Sequence, residues 1–549
     1  MSRRRRTRRP PAKHPHTPAP YPDSPSPLEW FSAAVATAVV VTLHLVFLSH
    51  AGGLWRDEVN GVATAAAPTL ADMWRVEEFS SYPLLYTILL RVWMSIGSLG
   101  SDAGLRMLGL LGGLTLPAAI WFTARKLGRG VPLVSLALVA INPEIIRWGA
   151  SVHAWGLGAA LALVACVLVW RAIEAPTRLN LLIAGLASVA CVQCLYQNAV
   201  LLAAMLAAGL LVAIGRRDLV RVMALLGIGL AAACSLALYA PMFMRRSQWT
   251  GLGEWPVTVP DLAAQAWIVM TASGTAVLFA WIAIVPLAIA SVVWIWLRGT
   301  DTQDRATAVY AVTIIVAATA GLLVFYLAFR HPTQSWYYIG LLTMVAVCAD
   351  TAMALAARGR AARMARALAA LLILGAGVSP AWASLQRPFT NVNDVAAHLK
   401  TEFAQGDLVI VNPWFYTVSL ARYAASGTEL MAIPPLEDHT LHRYDLLKQQ
   451  MQTPDAMAPL RSRIQQVLQA GHQVWIVGGL TLPPPNTPSP VMPRPPLPAS
   501  GWTSAPYEEA WAIEIGLLMR DHAVKGHAVP IANGGQFENV RLLVASGWR

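Results

Sequence analysis

An acidic pair, Asp57-Glu58, stands in the stretch LWRDEVN directly after the first long apolar run. A carboxylate there can take the proton of an attacking hydroxyl if the reacting group comes within about 2.6–3.2 Å. Acidic residues at a helix exit are commonly just solvated, but this pair opens a long loop whose next segments are apolar, which would enclose it at a membrane surface. The residues suited to a phosphate are arginines, permanently charged and able to bind bidentately. Arg245 and Arg246 in MRRSQW, Arg330 in FRHP and Arg147 in EIIRWG are the candidates. For each, an interfacial headgroup contact is an equal reading. His153 adds a titratable ring, although a lone His is more often hydrogen-bonded structure. Trp249 and Trp255, in QWTGLGEW, offer flat faces on which a sugar can stack.

The elements that must position these residues are membrane helices. The chain has 549 residues, 56% hydrophobic and 13% charged, with a mean hydropathy of +0.51. Soluble domains carry about a quarter charged residues. Apolar runs of about 20 residues, each long enough to cross roughly 30 Å of hydrocarbon, recur from Phe31 to Leu385. The net charge of +12 does not indicate nucleic acid, because Lys and Arg outnumber Asp and Glu 29 to 16 before Arg387 but stand 12 to 13 from Arg387 to the end. The basic excess belongs to membrane loops rather than to a folded basic face. All five cysteines lie in apolar runs and read as small packing residues.

Three regions follow. Residues 1–29 form a basic, proline-rich leader expected to be disordered and cytoplasmic. Residues 30–386 form the membrane domain, with helices near 30–48, 104–124, 131–147, 153–171, 179–196, 198–214, 219–241, 277–297, 306–329, 336–357 and 366–386. Placing 83–97 along the outer interface rather than across the membrane puts every strongly basic loop inside, as the positive-inside rule requires. Asp57-Glu58 and residues 387–549 then lie outside. That last region alternates helix and strand signals, with strands at 407–412 and 472–479, and reads as a soluble α/β domain. The fold class is therefore an all-α polytopic membrane domain of about eleven transmembrane helices plus interfacial helices, followed by a C-terminal soluble α/β domain.

The order of motifs resembles the GT-C superfamily of membrane glycosyltransferases, especially bacterial relatives of the protein O-mannosyltransferases and of the aminoarabinose transferases that modify lipid A. LWRDEVN is similar to that family's acidic motif in its first outer loop, and SSYPLLYTILLRVW to its HPPLYY segment. LRMLGLLGGLTLPAAIWFTARKLGRG and NPEIIRWGASVHAWGL are similar to its following helix and turn. The resemblance spans about residues 30–390. It implies a polyprenyl-phosphate sugar as donor, with Asp57 as the base that activates an acceptor hydroxyl on a lipid, glycan or protein. Glu58 would support Asp57 or help hold a divalent cation; no other cofactor is implied. The arginines listed above would hold the donor phosphate, with His153 standing where the family has an arginine. Three positions depart from the family pattern: Ser81 replaces its His, Ser151 its Glu, and Trp336–Tyr338 its late RY pair. These keep two alternatives open, a non-catalytic GT-C-like assembly subunit and a lipid or solute transporter. The absence of an allowed N-x-S/T sequon and the Ala- and Arg-rich composition suit a bacterial plasma membrane.

Overall fold

A computed structural model describes residues 25–128, 130–249, 257–298, 301–329, 333–494, 503–532 and 534–549. Arg330, Trp255 and leader residues 1–24 lie outside these. Among the described residues nine helices are long and apolar enough to cross a membrane: Pro27–His50 (α1), Asp102–Lys126, Trp155–Glu174, Asn198–Gly215, Leu219–Ala237, Thr275–Leu297, Thr302–Ala328, Ser335–Ala356 and Arg360–Leu385. Two expected spans differ. Arg178–Cys194 is apolar but has only 17 residues. The 131–147 span breaks into Val134–Ala140 and Pro143–Gly149. Pro143 has no N–H to give, and Asn142 covers the break: its Oδ1 accepts from Ile145 N at 3.1 Å and its Nδ2 donates to Val269 O at 2.8 Å. Ser273 Oγ donates to Ile141 O at 2.7 Å, so the freed backbone groups are met inside the protein. The amphipathic helix expected at 83–97 runs Leu84–Met94.

α1 starts at a capping box: Ser26 Oγ accepts from Glu29 N and Glu29 Oε2 accepts from Ser26 N, with Pro27 pre-set for the first helical position. The Glu29 carboxylate also binds Arg363 at 2.6 Å and Arg366 at 3.7 Å, and Arg366 binds Asp350 at 2.9 Å. Asp350 accepts from Leu133 N, Ser135 N and Ser135 Oγ at 2.8–3.1 Å. One polar clamp thus ties four segments together at this end of the bundle.

The C-terminal region is an α/β domain around a five-stranded sheet. Its strands are β1 (Leu408–Asn412), β2 (Leu430–Ala432), β3 (Gln473–Gly478), β4 (Ala523–Val529) and β5 (Arg541–Trp548), in the order β2-β1-β3-β5-β4. β1, β2 and β3 are parallel; β5 and β4 complete the sheet antiparallel. Alternation in β1 sends Leu408 and Ile410 into one core and Val409 and Val411 into another on the opposite face, which is why the strand reads as a continuous apolar run. The β4–β5 hairpin escapes a sequence reading because β4, AVKGHAV, is exposed along most of its length and carries no run to bury.

The two domains are bolted together. Tyr423 OH accepts from Leu54 N at 2.6 Å and donates to Asp102 Oδ2 at 2.5 Å, while Arg422 pairs with the same carboxylate at 2.6 Å. A finger at Gln536–Glu538 enters the mouth of the membrane domain. Gln536 Oε1 accepts from Arg147 Nη2 at 2.7 Å, and Phe537 packs among Trp55, Trp148, Trp336 and Phe389 with ring centroids 4.9–6.3 Å away. Trp55, Trp148 and Trp336 are buried at this seam.

Candidate active site

Asp57 and Glu58 open the helix Arg56–Ala65 (α2), and their side chains have opposite fates. Glu58 is fully buried. Its Oε1 accepts from Arg106 Nη1 at 2.7 Å and from Val152 N at 2.8 Å, and its Oε2 accepts from Trp55 N at 3.1 Å. Arg106 also donates to Gly53 O at 2.5 Å. Glu58 therefore pins the start of α2 to the helix Asp102–Lys126 and to the 149–154 turn. That turn can reach it because Gly109 has no Cβ; a Cβ there would lie 2.3 Å from Ala150 O.

Asp57 keeps about a third of its side-chain surface accessible. Its carboxylate accepts no hydrogen bond from any described residue; Arg56 Nε lies at 3.6 Å and His442 Nδ1 of the C-terminal domain at 3.7 Å. Surrounding protein nonetheless dries it, and this raises its pKa above the ordinary carboxylate value, with Arg56 offsetting part of the rise. Tyr82, Tyr337 and Tyr444 all sense the Asp57 charge. Tyr444 is 40% exposed although deep in the protein, so these groups line a recess that solvent reaches. Gly61, one turn along α2, admits Tyr82: a Cβ there would lie 2.5 Å from the Tyr82 hydroxyl, which is buried without a partner.

The other candidates scatter. Arg147 is buried, and its Nη atoms bind Glu144 at 2.9 Å, Ser384 and Gln536, while its Nε has no partner. It holds the finger. Arg245 is half-exposed with Glu78 at 3.6 Å. Arg246 donates to Ser80 O at 2.8 Å, and its charge is felt by Tyr337 and Tyr444, the same rings that sense Asp57. Among the described candidate arginines it is the one tied to the Asp57 recess. Trp249 is stacked against Phe79 (centroids 5.2 Å) and Tyr444 (5.9 Å), so its ring is engaged in protein contacts.

His153 is buried, and burial pushes its pKa down to about 3. Its Nδ1 accepts from Ala154 N at 2.9 Å, which places the ring proton on Nε2, facing Ser81 Oγ at 3.3 Å. His153 and Ser81 are thus partners of each other. The ring also stacks on Trp155 at 4.9 Å and meets Tyr82 edge-on at 4.5 Å.

Two residues with no local sequence signal complete the site. Glu538 in the finger has Oε1 3.3 Å from Arg56 Nη1, and its buried Oε2 has no partner. Burial pushes its pKa up to about 7 against the pull of Arg56. His442 arrives on the loop after β2. Its backbone N donates to Asn60 Oδ1 of α2 at 2.8 Å, and Asn60 Nδ2 donates to Phe79 O at 3.1 Å. Both Glu58 oxygens accept from N–H donors, and among the described residues no three His, Cys, Asp or Glu side chains converge.

No protein-family model and no curated protein matches this chain. Among solved structures, ArnT from Cupriavidus metallidurans bound to undecaprenyl phosphate overlays with a TM-score of 0.50 and 12% identity, over 94% of this chain and 98% of that one. The Archaeoglobus fulgidus oligosaccharyltransferase in complex with zinc and sulfate overlays at 0.47 and 11% identity, over 81% of this chain and 67% of that one, too loosely to carry an argument. The ArnT overlay runs through both domains, and at its level of identity it is a likeness of fold alone.

Proposed function

We propose that this chain is an integral membrane glycosyltransferase that moves a sugar from a polyprenyl-phosphate donor to a hydroxyl of a lipid, glycan or protein acceptor outside the cytoplasm of a bacterium. The observation that carries the reading is the contrast within one dipeptide. Glu58 is saturated with hydrogen bonds and holds the helix, leaving Asp57 accessible, without a hydrogen bond and raised in pKa at its tip. A base needs a free lone pair and a pKa nearer the working pH than an ordinary aspartate has.

In this mechanism the acceptor hydroxyl oxygen attacks the anomeric carbon as the bond from that carbon to the phosphate oxygen breaks. The hydroxyl proton passes to Asp57, and the polyprenyl phosphate leaves, with inversion. An acidic phosphate leaves without a proton; what it needs is positive charge. Arg246, whose charge reaches the same tyrosines as that of Asp57, is the residue assigned to the phosphate. The basic loops orient the chain with its leader inside and Asp57 and the C-terminal domain outside. The likeness of fold to a protein bound to undecaprenyl phosphate supports the donor class.

The test is transfer from a panel of radiolabelled undecaprenyl-phosphate sugars into endogenous acceptors, in membranes carrying the wild-type chain or Asp57→Asn at equal expression. Transfer from one donor that disappears in the variant supports the reading and names the sugar. Transfer indifferent to Asp57 removes the base.

A further inference from the structure

The C-terminal domain does more than cover the membrane domain. The loop after β2 carries His442 onto α2 and fixes it there by the bond from its backbone N to Asn60 Oδ1, one turn beyond Asp57. The next residue stiffens the loop: Arg443 pairs with Asp438 and Asp445, each at 2.7 Å, and lies 5.2 Å over the Phe79 ring. The imidazole is 93% buried on this anchored loop, with Nδ1 3.7 Å from Asp57 Oδ1 and Nε2 without any partner. Within this recess, then, a buried ring with one unmet nitrogen stands beside a carboxylate that accepts no hydrogen bond.

We propose that His442 is a positioning residue for the glycosyl-transfer base: its Nδ1–H aims the Asp57 carboxylate at the acceptor hydroxyl, so that the C-terminal domain completes the active site. This rests on the reading of Asp57 as the base. A neutral imidazole carries one ring proton, and placing it on Nδ1, toward the carboxylate, leaves Nε2 with a bare lone pair, which needs no acceptor. Burial and the nearby Arg56 charge keep the ring neutral, with a pKa near 3. His442 therefore orients Asp57 as a fixed dipole, without the full charge that would hold the carboxylate ionised and weaken it as a base.

The other charged and titratable groups facing the pair come from several elements. Arg56 lies on α2, where Glu58 points the other way into its own clamp. Tyr82 precedes Leu84–Met94, Tyr337 opens Ser335–Ala356, Arg246 ends Ala240–Arg246, and Glu538 and Tyr444 come from the C-terminal domain. None of these approaches the Asp57 carboxylate with a neutral N–H donor.

Two variants of the full-length chain separate the N–H from the ring. His442→Phe keeps a flat ring and removes the donor; His442→Asn keeps an N–H near the position of Nδ1. Two readouts are taken on each: transfer from the undecaprenyl-phosphate sugar panel, and the pH at which Asp57 becomes half-labelled by a water-soluble carbodiimide, which attacks only the protonated carboxyl. The expected result for His442→Phe is kcat lowered about tenfold with KM nearly unchanged, and a labelling midpoint raised by about one pH unit. His442→Asn should recover both. If Phe and Asn variants behave alike in both readouts, the proposal falls, whether both are impaired or both are normal. If wild-type membranes transfer no sugar but the labelling midpoint moves with Phe and not with Asn, positioning stands and the glycosyltransferase reading falls. If transfer requires Asp57 while the midpoint ignores His442, the enzyme stands without its positioning residue.

Discussion

At the end of the bundle where α1 begins, the oxygens of Glu29 and Asp350 each have a cation or an N–H or O–H donor within 4 Å. At the other end the account is left open. Asp57 accepts no hydrogen bond, and the Tyr82 hydroxyl, His442 Nε2 and Glu538 Oε2 are buried without partners. A buried polar group without a partner costs about 1–3 kcal/mol, so three such groups beside the accessible Asp57 carry a cost that packing alone does not explain. The first end holds helices together; the second is built to meet something the chain does not contain. Glu58 is the exception that proves the comparison useful, a saturated residue inside the unsaturated region. It marks where holding stops and chemistry begins.

The comparison can be broken most sharply at the acidic pair. Asp57→Asn should lower transfer by roughly a thousandfold or more, as loss of a general base does, while leaving the thermal midpoint of the detergent-solubilised protein almost unchanged, because no hydrogen bond is lost. Glu58→Gln should do the reverse in kind. It leaves the Arg106 charge buried without its partner, which costs about 3–5 kcal/mol, so the loss should appear in the melt and in the yield of folded protein. A Glu58 variant that melts normally yet transfers nothing would move the catalytic role to Glu58 and reverse the assignment.

A smaller effect tests the clamp where α1 begins. Asp350→Asn keeps an oxygen for Leu133 N and Ser135 but removes the charge facing Arg366. The expected outcome is a loss of about 3 kcal/mol in stability, with transfer per folded molecule unchanged. Reduced turnover in the folded fraction would mean that the two ends communicate.

Much of this was legible in the residues, and the illegible part has a physical pattern. The membrane helices, Leu84–Met94 and β1 and β3 announce themselves because each buries a continuous apolar surface. Asp57 stands out because its neighbours in sequence are also its neighbours in space. His442 and Glu538 do not, since 385 and 481 residues separate them from Asp57 and nothing in DHTLHRYD or GQFENV indicates what they face. Arg147 misled for the opposite reason: an arginine in a promising turn looks the same in sequence whether it waits for a phosphate or grips Gln536. Trp55, Trp148 and Trp336 carry no sequence mark of the domain seam, because a membrane interface asks equally for a large ring with one polar atom.

The smallest effect lies at the edge of the recess and depends on pH. The Glu538 carboxyl has a folded-state pKa of about 7 against an ordinary 4.5, because burial disfavours its charged form. The folded chain therefore holds this proton more tightly than the unfolded one, and the penalty is absent below about pH 4.5. Stability should decline as pH rises from there to about 7 and level off above, by on the order of 3 kcal/mol. Glu538→Gln keeps the shape, cannot ionise and should flatten that decline in a pH series of thermal melts. It also removes the carboxylate from Arg56, which then has Asp57 as its nearest acidic neighbour. The same variant should thus shift the acid limb of the rate profile to lower pH, since an unshared Arg56 charge stabilises the Asp57 carboxylate. A flattened melt series with an unmoved rate profile would mean that Glu538 belongs to the seam between the domains and not to the site.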